Sequence, residues 1–214
     1  MSRSTLILDL DNTIYPESWG LMNVISNRMV QFVRMKFQGE EVELRGLIES
    51  YRSRYNSISI GFMNDNRADF DDFILYSHEI DLSPYASDAS LGGLLALSGF
   101  RRKFIFSNAP RVHVVNVLKK FGLTDAFDGI VCIEDVGYRY KPSATAFDVF
   151  YAITKSDPFD SVFVDDCMCN IETARTQGNY TVHISEALEG GGQSDEMHGS
   201  LADFLLSRCR ERKE

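Results

Sequence analysis

The 214-residue chain is 44% hydrophobic and 25% charged, ordinary globular usage that excludes intrinsic disorder and leaves room for one full α/β domain with a smaller insertion. With 22 basic against 31 acidic side chains, the net charge of −9 argues against binding a long nucleic acid through its phosphates, while a metal ion and one or two local cations could still make one pocket attract a small anion. The four cysteines (Cys132, Cys167, Cys169 and Cys209) are too few and too irregular for a disulfide framework and fit a reducing compartment. Cys167 and Cys169 have no further Cys or His cluster to complete a zinc site.

The N-terminal stretch MSRSTLILDL is apolar over too few residues for a signal-peptide core or a bilayer span, so a cytoplasmic protein without membrane attachment is expected. Its apolar part, TLILDL at 5–10, reads as a first strand ending in two carboxylates, Asp9 and Asp11. From 17 to 84 the pattern changes. LMNVISNRMVQFVRMKF, EEVELRGLIESYRSRY and DFDDFILYSHEI space their apolar residues as helices do, and no strand interrupts them. DFDDF reads as an acidic helix start with a solvated face. Strand-like runs then return: KFIFSN at 103–108, GIVCIED at 129–135, SVFVDD at 161–166 and YTVHIS at 180–185. All are rich in Val, Ile or Phe and polar mainly at their C-terminal ends, as buried parallel strands are. Helices are predicted between them, from Pro110 to Gly122 and from Pro142 onward, and EGGGQSDEMHGS at 189–200 reads as a surface loop before a last helix. The alternation predicts a doubly wound, mainly parallel α/β sheet formed by 1–16 and 85–214, with an all-helical domain, 17–84, inserted after the first strand.

Ligands of such sheets bind beyond the carboxyl ends of the strands, where Asp9, Asp11, Ser107, Asn108, Asp165 and Asp166 stand and where Lys141 follows the third run. Two carboxylates one residue apart cost free energy unless something compensates them. A divalent cation on Asp9 and Asp166 would do so, and hard oxygen ligands suit magnesium. Screened in this way, Asp9 could attack a phosphate ester to form an aspartyl-phosphate. Ser107 and Lys141 could hold the other phosphoryl oxygens, and Asp11 could protonate the leaving oxygen and later deprotonate a water. Asp165 reads as bonding a neighbouring loop rather than the metal.

DLDNT at 9–13, FSNA at 106–109, KP at 141–142 and VDDCMCN at 164–170 resemble, in order, the four motifs of the haloacid dehalogenase-like (HAD) hydrolase superfamily. The resemblance implies Asp9 as nucleophile, Asp11 as acid and base, Ser107 and Lys141 as phosphate binders, and magnesium on Asp9, the Asp11 carbonyl and Asp166. Asn170 stands where many members carry a second acid. Dehalogenases usually lack the second aspartate of the first motif, so Asp11 points to a phosphatase. The helical insertion resembles a C1 cap, and DLDNTIYPESWGL, YRSRYNSISIGF and DFILYSHEI resemble pyrimidine 5′-nucleotidase-like members. A nucleoside monophosphate is therefore the expected substrate. A small organic or sugar phosphate, or a catalytically silent binding protein of the same fold, are the alternatives. Tyr15, Trp19, Phe62 and His78 are aromatic candidates for contact with a base, against the competing reading that they pack a core. His113 and His183 read as structural. The oligomeric state is not legible.

Overall fold

The first apolar run forms strand β1, Thr5–Leu8, buried along its whole length in a computed structural model that describes residues 3–37, 39–55, 57–188 and 192–211. Four helices follow: α1 (Leu21–Lys36), α2 (Glu41–Tyr55), α3 (Ile58–Asp65) and α4 (Phe70–His78). The remainder runs α5 (Leu91–Leu97), β2 (Arg102–Phe106), α6 (Arg111–Lys120), β3 (Gly129–Val131), α7 (Ala144–Thr154), β4 (Ser161–Asp165), α8 (Met168–Gln177), β5 (Tyr180–Ile184), β6 (Glu196–His198) and α9 (Leu201–Glu211). These elements form two compact units. A sheet-bearing unit runs to Trp19 and resumes at Leu82, and a helical unit spans Gly20–Asp81. Among the described residues no helix is long and apolar enough to cross a membrane.

The six strands are parallel, in the order β3-β2-β1-β4-β5-β6, which makes the core a doubly wound α/β sheet. Leu8 of β1 pairs with Ile105 of β2 and with Val164 of β4, so the three central strands end level with one another. Parallel strands buried on both faces need apolar side chains in both directions, which is why these segments read as continuous apolar runs. On one face Phe104, Phe106, Phe147, Phe150 and Phe163 form the core, with the Phe106 and Phe150 rings stacked at 4.6 Å.

Two segments differ from the sequence expectation. GIVCIED pairs with β2 only through Val131. The Asp135 carboxylate then accepts the Cys132 N–H at 2.7 Å and turns the chain, and Gly137 and Tyr138 both adopt positive φ. The predicted loop 189–200 contains β6, which adds to the sheet edge beside β5. Asp195, just before it, accepts both the N–H and the hydroxyl of Thr181 at 2.8 Å. Residues 189–191 of that loop lie outside the described residues.

In the helical unit α1 packs on α4 and α2 on α3. Phe62 and Phe73 stack at 4.4 Å, and Phe32 presents an edge to each, so Phe62 belongs to this unit's own core. His78 is also buried, its Nδ1 2.9 Å from the Ile74 carbonyl oxygen. Helix α3, which no apolar period announced, starts at Ser57, whose Oγ accepts the Ile60 N–H. Gly61 lets α3 meet α2, because a Cβ there would lie 2.4 Å from the Tyr51 ring and 2.6 Å from its Cβ. Gly61→Ala is expected to cost about 1–3 kcal/mol through this overlap. Urea unfolding followed by circular dichroism measures it, and an unchanged midpoint would mean that the two helices are not so closely apposed.

Candidate active site

Asp9 is the first residue past β1, and its N–H continues the ladder to the Val164 carbonyl at 2.9 Å. The strand order places it between the ends of β2 and β4. Lys141 reaches the same spot from the β3–α7 connection with its side chain 1% exposed. The ammonium donates to Asp9 Oδ1 at 2.7 Å, to Asp165 Oδ2 at 2.8 Å and to the Phe106 carbonyl at 2.8 Å. It also lies 5.1 Å and 5.5 Å from the ring centroids of Phe106 and Phe163. Burial alone would drive this amine toward neutrality, but Asp165 and Asp9 outweigh it and hold the ammonium charged, its pKa above the ordinary lysine range. The lysine backbone is fixed in turn by the Asn108 side chain, whose Oδ1 accepts the Lys141 N–H at 2.8 Å and whose Nδ2 donates to the Lys141 carbonyl at 3.0 Å.

Asp165 is 0% exposed and thoroughly engaged. Besides Lys141 it accepts from Asn170 Nδ2 on both oxygens, at 2.9 Å and 3.0 Å, and from the Cys167 N–H at 2.9 Å. Asn170 therefore serves Asp165. Asp166 accepts from Asn12 Nδ2 at 3.2 Å, and its carbonyl oxygen takes a hydrogen bond from His183 Nε2 at 2.9 Å. Asn12 has φ 56°, the left-handed turn that asparagine tolerates best among residues with a Cβ, and this turn carries the chain away from the first motif.

One oxygen from each of Asp9, Asp165 and Asp166 lies within 4.8 Å of the others. Burial pushes the Asp9 carboxyl well above the usual carboxylate range, with Lys141 opposing and Asp165, Asp166 and Asp11 adding to the rise. Burial and Asp165 push Asp166 up to about 7. Three carboxylates face one ammonium, and Asp165 is already saturated. The uncompensated charge rests on Asp9 and Asp166, hard oxygen donors that fit a divalent cation such as magnesium.

Asp11 stands beyond this cluster. Its Oδ1 accepts from the Tyr15 hydroxyl at 2.5 Å and lies 2.8 Å from His113 Nε2. Burial, then Asp11, raise the Tyr15 pKa so that the phenol stays neutral and remains a donor. His113, read from the sequence as structural, makes a contact with the first motif that no local spacing announces. It lies in the first turn of α6, the helix that leaves the strand end carrying Ser107, and such a turn returns its side chains toward the ends of the strands. Ser107 itself is buried. Its N–H donates to Val131 and its Oγ accepts the Ala109 N–H at 3.0 Å. Trp19 is half-buried in an aromatic stack with Tyr15 at 5.1 Å, Tyr85 at 4.9 Å and Phe121 at 5.6 Å. Tyr15 and Trp19 both line a cavity of about 390 Å³ within the sheet-bearing unit, which also touches Asn12, Asp166 and Glu186. The tertiary structure thus gathers Asp9, Lys141, Asn108 and Asp165 in one hydrogen-bonded cluster, with Asp166 beside it and Asp11 held separately by His113 and Tyr15.

A profile of the haloacid dehalogenase-like hydrolases matches residues 4–178, and the chain belongs to that family. Phosphate metabolism protein 8 of Saccharomyces cerevisiae is 26% identical over 203 residues, 86% of this chain. The chain spans 63% of that relative's length. Among solved structures, a HAD phosphatase from Thermococcus onnurineus superposes with a TM-score of 0.65 at 20% identity, covering 97% of each chain. The Bacillus subtilis HAD-hydrolase YfnB, bound to magnesium, superposes with a TM-score of 0.64 at 13% identity over 97% of this chain and 99% of its own. At these identities the superpositions speak for the fold.

Lys141→Met removes the one cation that Asp9 and Asp165 share and leaves two buried carboxylates facing each other. A loss of about 3–5 kcal/mol in unfolding free energy at neutral pH is expected. Denaturant unfolding measures it, and a loss no larger than that of an ordinary surface lysine would mean that the ammonium does not support the cluster.

Proposed function

We propose that the chain is a magnesium-dependent phosphomonoester hydrolase acting through an aspartyl-phosphate on Asp9. Pyrimidine nucleoside monophosphates are the proposed substrates, and the inserted helical unit serves as the cap. The observation that carries this reading is the buried Lys141 ammonium pinning Asp9 against Asp165 while Asp166 stands beside them. A carboxylate so fixed, in a cluster short of positive charge, suits attack on an anionic phosphoryl group once a cation shares the site.

The chain's own residues supply the following steps. With Asp9 Oδ1 held by Lys141, the other carboxylate oxygen attacks phosphorus. The bond between phosphorus and the ester oxygen breaks, and Asp11 gives its proton to the leaving oxygen. A water then attacks phosphorus, Asp11 takes its proton, and the acyl-phosphate bond breaks to release inorganic phosphate and restore Asp9. Ser107 holds a phosphoryl oxygen, while Lys141, whose three N–H bonds go to Asp9, Asp165 and the Phe106 carbonyl, attracts the phosphoryl group by its charge, with Asn108 fixing the lysine backbone. The carboxylates of Asp9 and Asp166 and the carbonyl of Asp11 would hold magnesium, which would supply positive charge to offset the negative charge of the phosphoryl group. The hydrogen bonds that hold Asp11 at Tyr15 and His113 support a phosphatase over a dehalogenase, because a departing halide needs no positioned acid. The cavity lined by Tyr15 and Trp19 falls in the size range of small-molecule sites, which supports a small phosphorylated metabolite over a phosphoprotein or a nucleic acid. Four free cysteines support a cytoplasmic setting.

Phosphate release should vanish with a chelator and return with magnesium. UMP and CMP should have a higher kcat/KM than purine nucleotides or sugar phosphates. A higher value on a hexose phosphate would replace the nucleotidase reading with that of a sugar phosphate phosphatase, and no turnover on any ester would leave a silent binding protein.

The two carboxylates of the first motif should also separate. Asp9→Asn should abolish turnover and the phosphoenzyme. Asp11→Asn should still bind substrate while kcat on CMP falls by roughly 10²-fold or more. On p-nitrophenyl phosphate, whose leaving group needs little protonation, the loss should be much smaller, and equal losses on the two esters would remove Asp11 from the acid role.

A further inference from the structure

Asp11 belongs to a mobile kind of side chain, yet two donors from different elements meet on one of its oxygens. Tyr15 approaches from the turn after β1, and His113 from the first turn of α6, 102 residues away in sequence. Both contact Oδ1, and His113 is 0% exposed, so its ring cannot cheaply exchange this bond for one to water. A carboxylate only accepts, which assigns the hydrogen on His113 Nε2 to this bond and fixes the ring's orientation. We infer that His113 and Tyr15 are positioning residues that clamp Oδ1 of Asp11 and so hold its carboxyl group in place for proton transfer, an inference that rests on the acid role proposed for Asp11.

The clamp has a second consequence. His113 lies six residues after Ser107, in the helix that the β2–α6 connection enters, and Ser107 on that connection is the proposed phosphate contact. The hydrogen bond from α6 to Asp11 therefore ties the loop that would hold the phosphoryl group to the group that would protonate its leaving oxygen. A shift of either loop moves both, so the reacting oxygen and the acid stay in register. In a proton-transfer step this matters most where the leaving oxygen is basic and least where it departs unaided.

The test compares His113→Leu, His113→Gln and Tyr15→Phe with the parent enzyme on CMP and on p-nitrophenyl phosphate, with magnesium. Glutamine places an amide nitrogen near the position of Nε2 and should restore the clamp. His113→Leu is expected to lower kcat on CMP by about tenfold or more with little change in KM, and to lower it by no more than about twofold on the activated ester. His113→Gln should recover most of the loss. In an Asp11→Asn background, His113→Leu should add almost nothing on CMP, because the group it positions is already gone. Should the leucine variant fail to fold, Tyr15→Phe, which deletes a single hydroxyl, reads the same ester dependence. Equal fractional losses on both esters, or full additivity with Asp11→Asn, would overturn the clamp and leave His113 a packing residue. If the parent enzyme hydrolyses neither ester, the phosphatase reading falls and the clamp with it, an outcome distinct from equal losses in an active enzyme.

Discussion

The site depends on one buried cation. An ammonium withdrawn from water is sustained only if it is paired and hydrogen-bonded, and Lys141 meets that demand with two carboxylates and a backbone carbonyl. The reverse also holds. Asp9 and Asp165 end adjacent parallel strands, and without the lysine they would face each other without the positive charge that offsets their repulsion. The ammonium is thus a structural counter-ion for the sheet's C-terminal end before it is anything else. It compensates only part of the charge gathered there, and the remainder, on Asp9 and Asp166, makes the site receptive to a divalent ion.

Around this pair the loops are held by side chains that recognise one another's backbone. Asn108 reads the Lys141 peptide on both its N–H and its C=O, Asp165 takes the Cys167 N–H, and His183 holds the Asp166 carbonyl. Asn12 and Asn170 each present an amide to one of the paired aspartates of the fourth motif. Such contacts fix loop conformations that β-ladders cannot reach, and they explain why so many of the motif residues are asparagine and aspartate. Geometry this closely specified leaves the charges of the site little freedom to reorganise.

Packing neighbours, and not burial, separate the aromatic residues. Phe62 and Phe73 fill the helical unit, while Trp19 joins Tyr15, Tyr85 and Phe121 in a stack of the sheet-bearing unit. In sequence these rings look alike. Only their neighbours tell which ones pack a core and which ones wall a cavity, because an aromatic side chain is equally suited to both.

The sequence by itself determined the sheet and its chemistry-bearing edge. Buried parallel strands must be apolar on both faces, so the central strands are visible as short apolar runs, and several catalytic candidates are visible as the polar residues where a run ends. That is why Asp9, Ser107 and the Asp165–Asp166 pair were legible, and why the helical spacing from 17 to 84 stood apart. Short elements were not legible. β6 carries no apolar run, α3 is too brief to show a period, and GIVCIED left the sheet early because Asp135 captured the Cys132 N–H. The tertiary structure alone decided which charges pair. Lys141 meets Asp9 across 132 residues and His113 meets Asp11 across 102, and no local spacing encodes such contacts. They follow from strand order, which brings the ends of β1, β2 and β4 side by side and lets loops distant in sequence share one small volume of low dielectric.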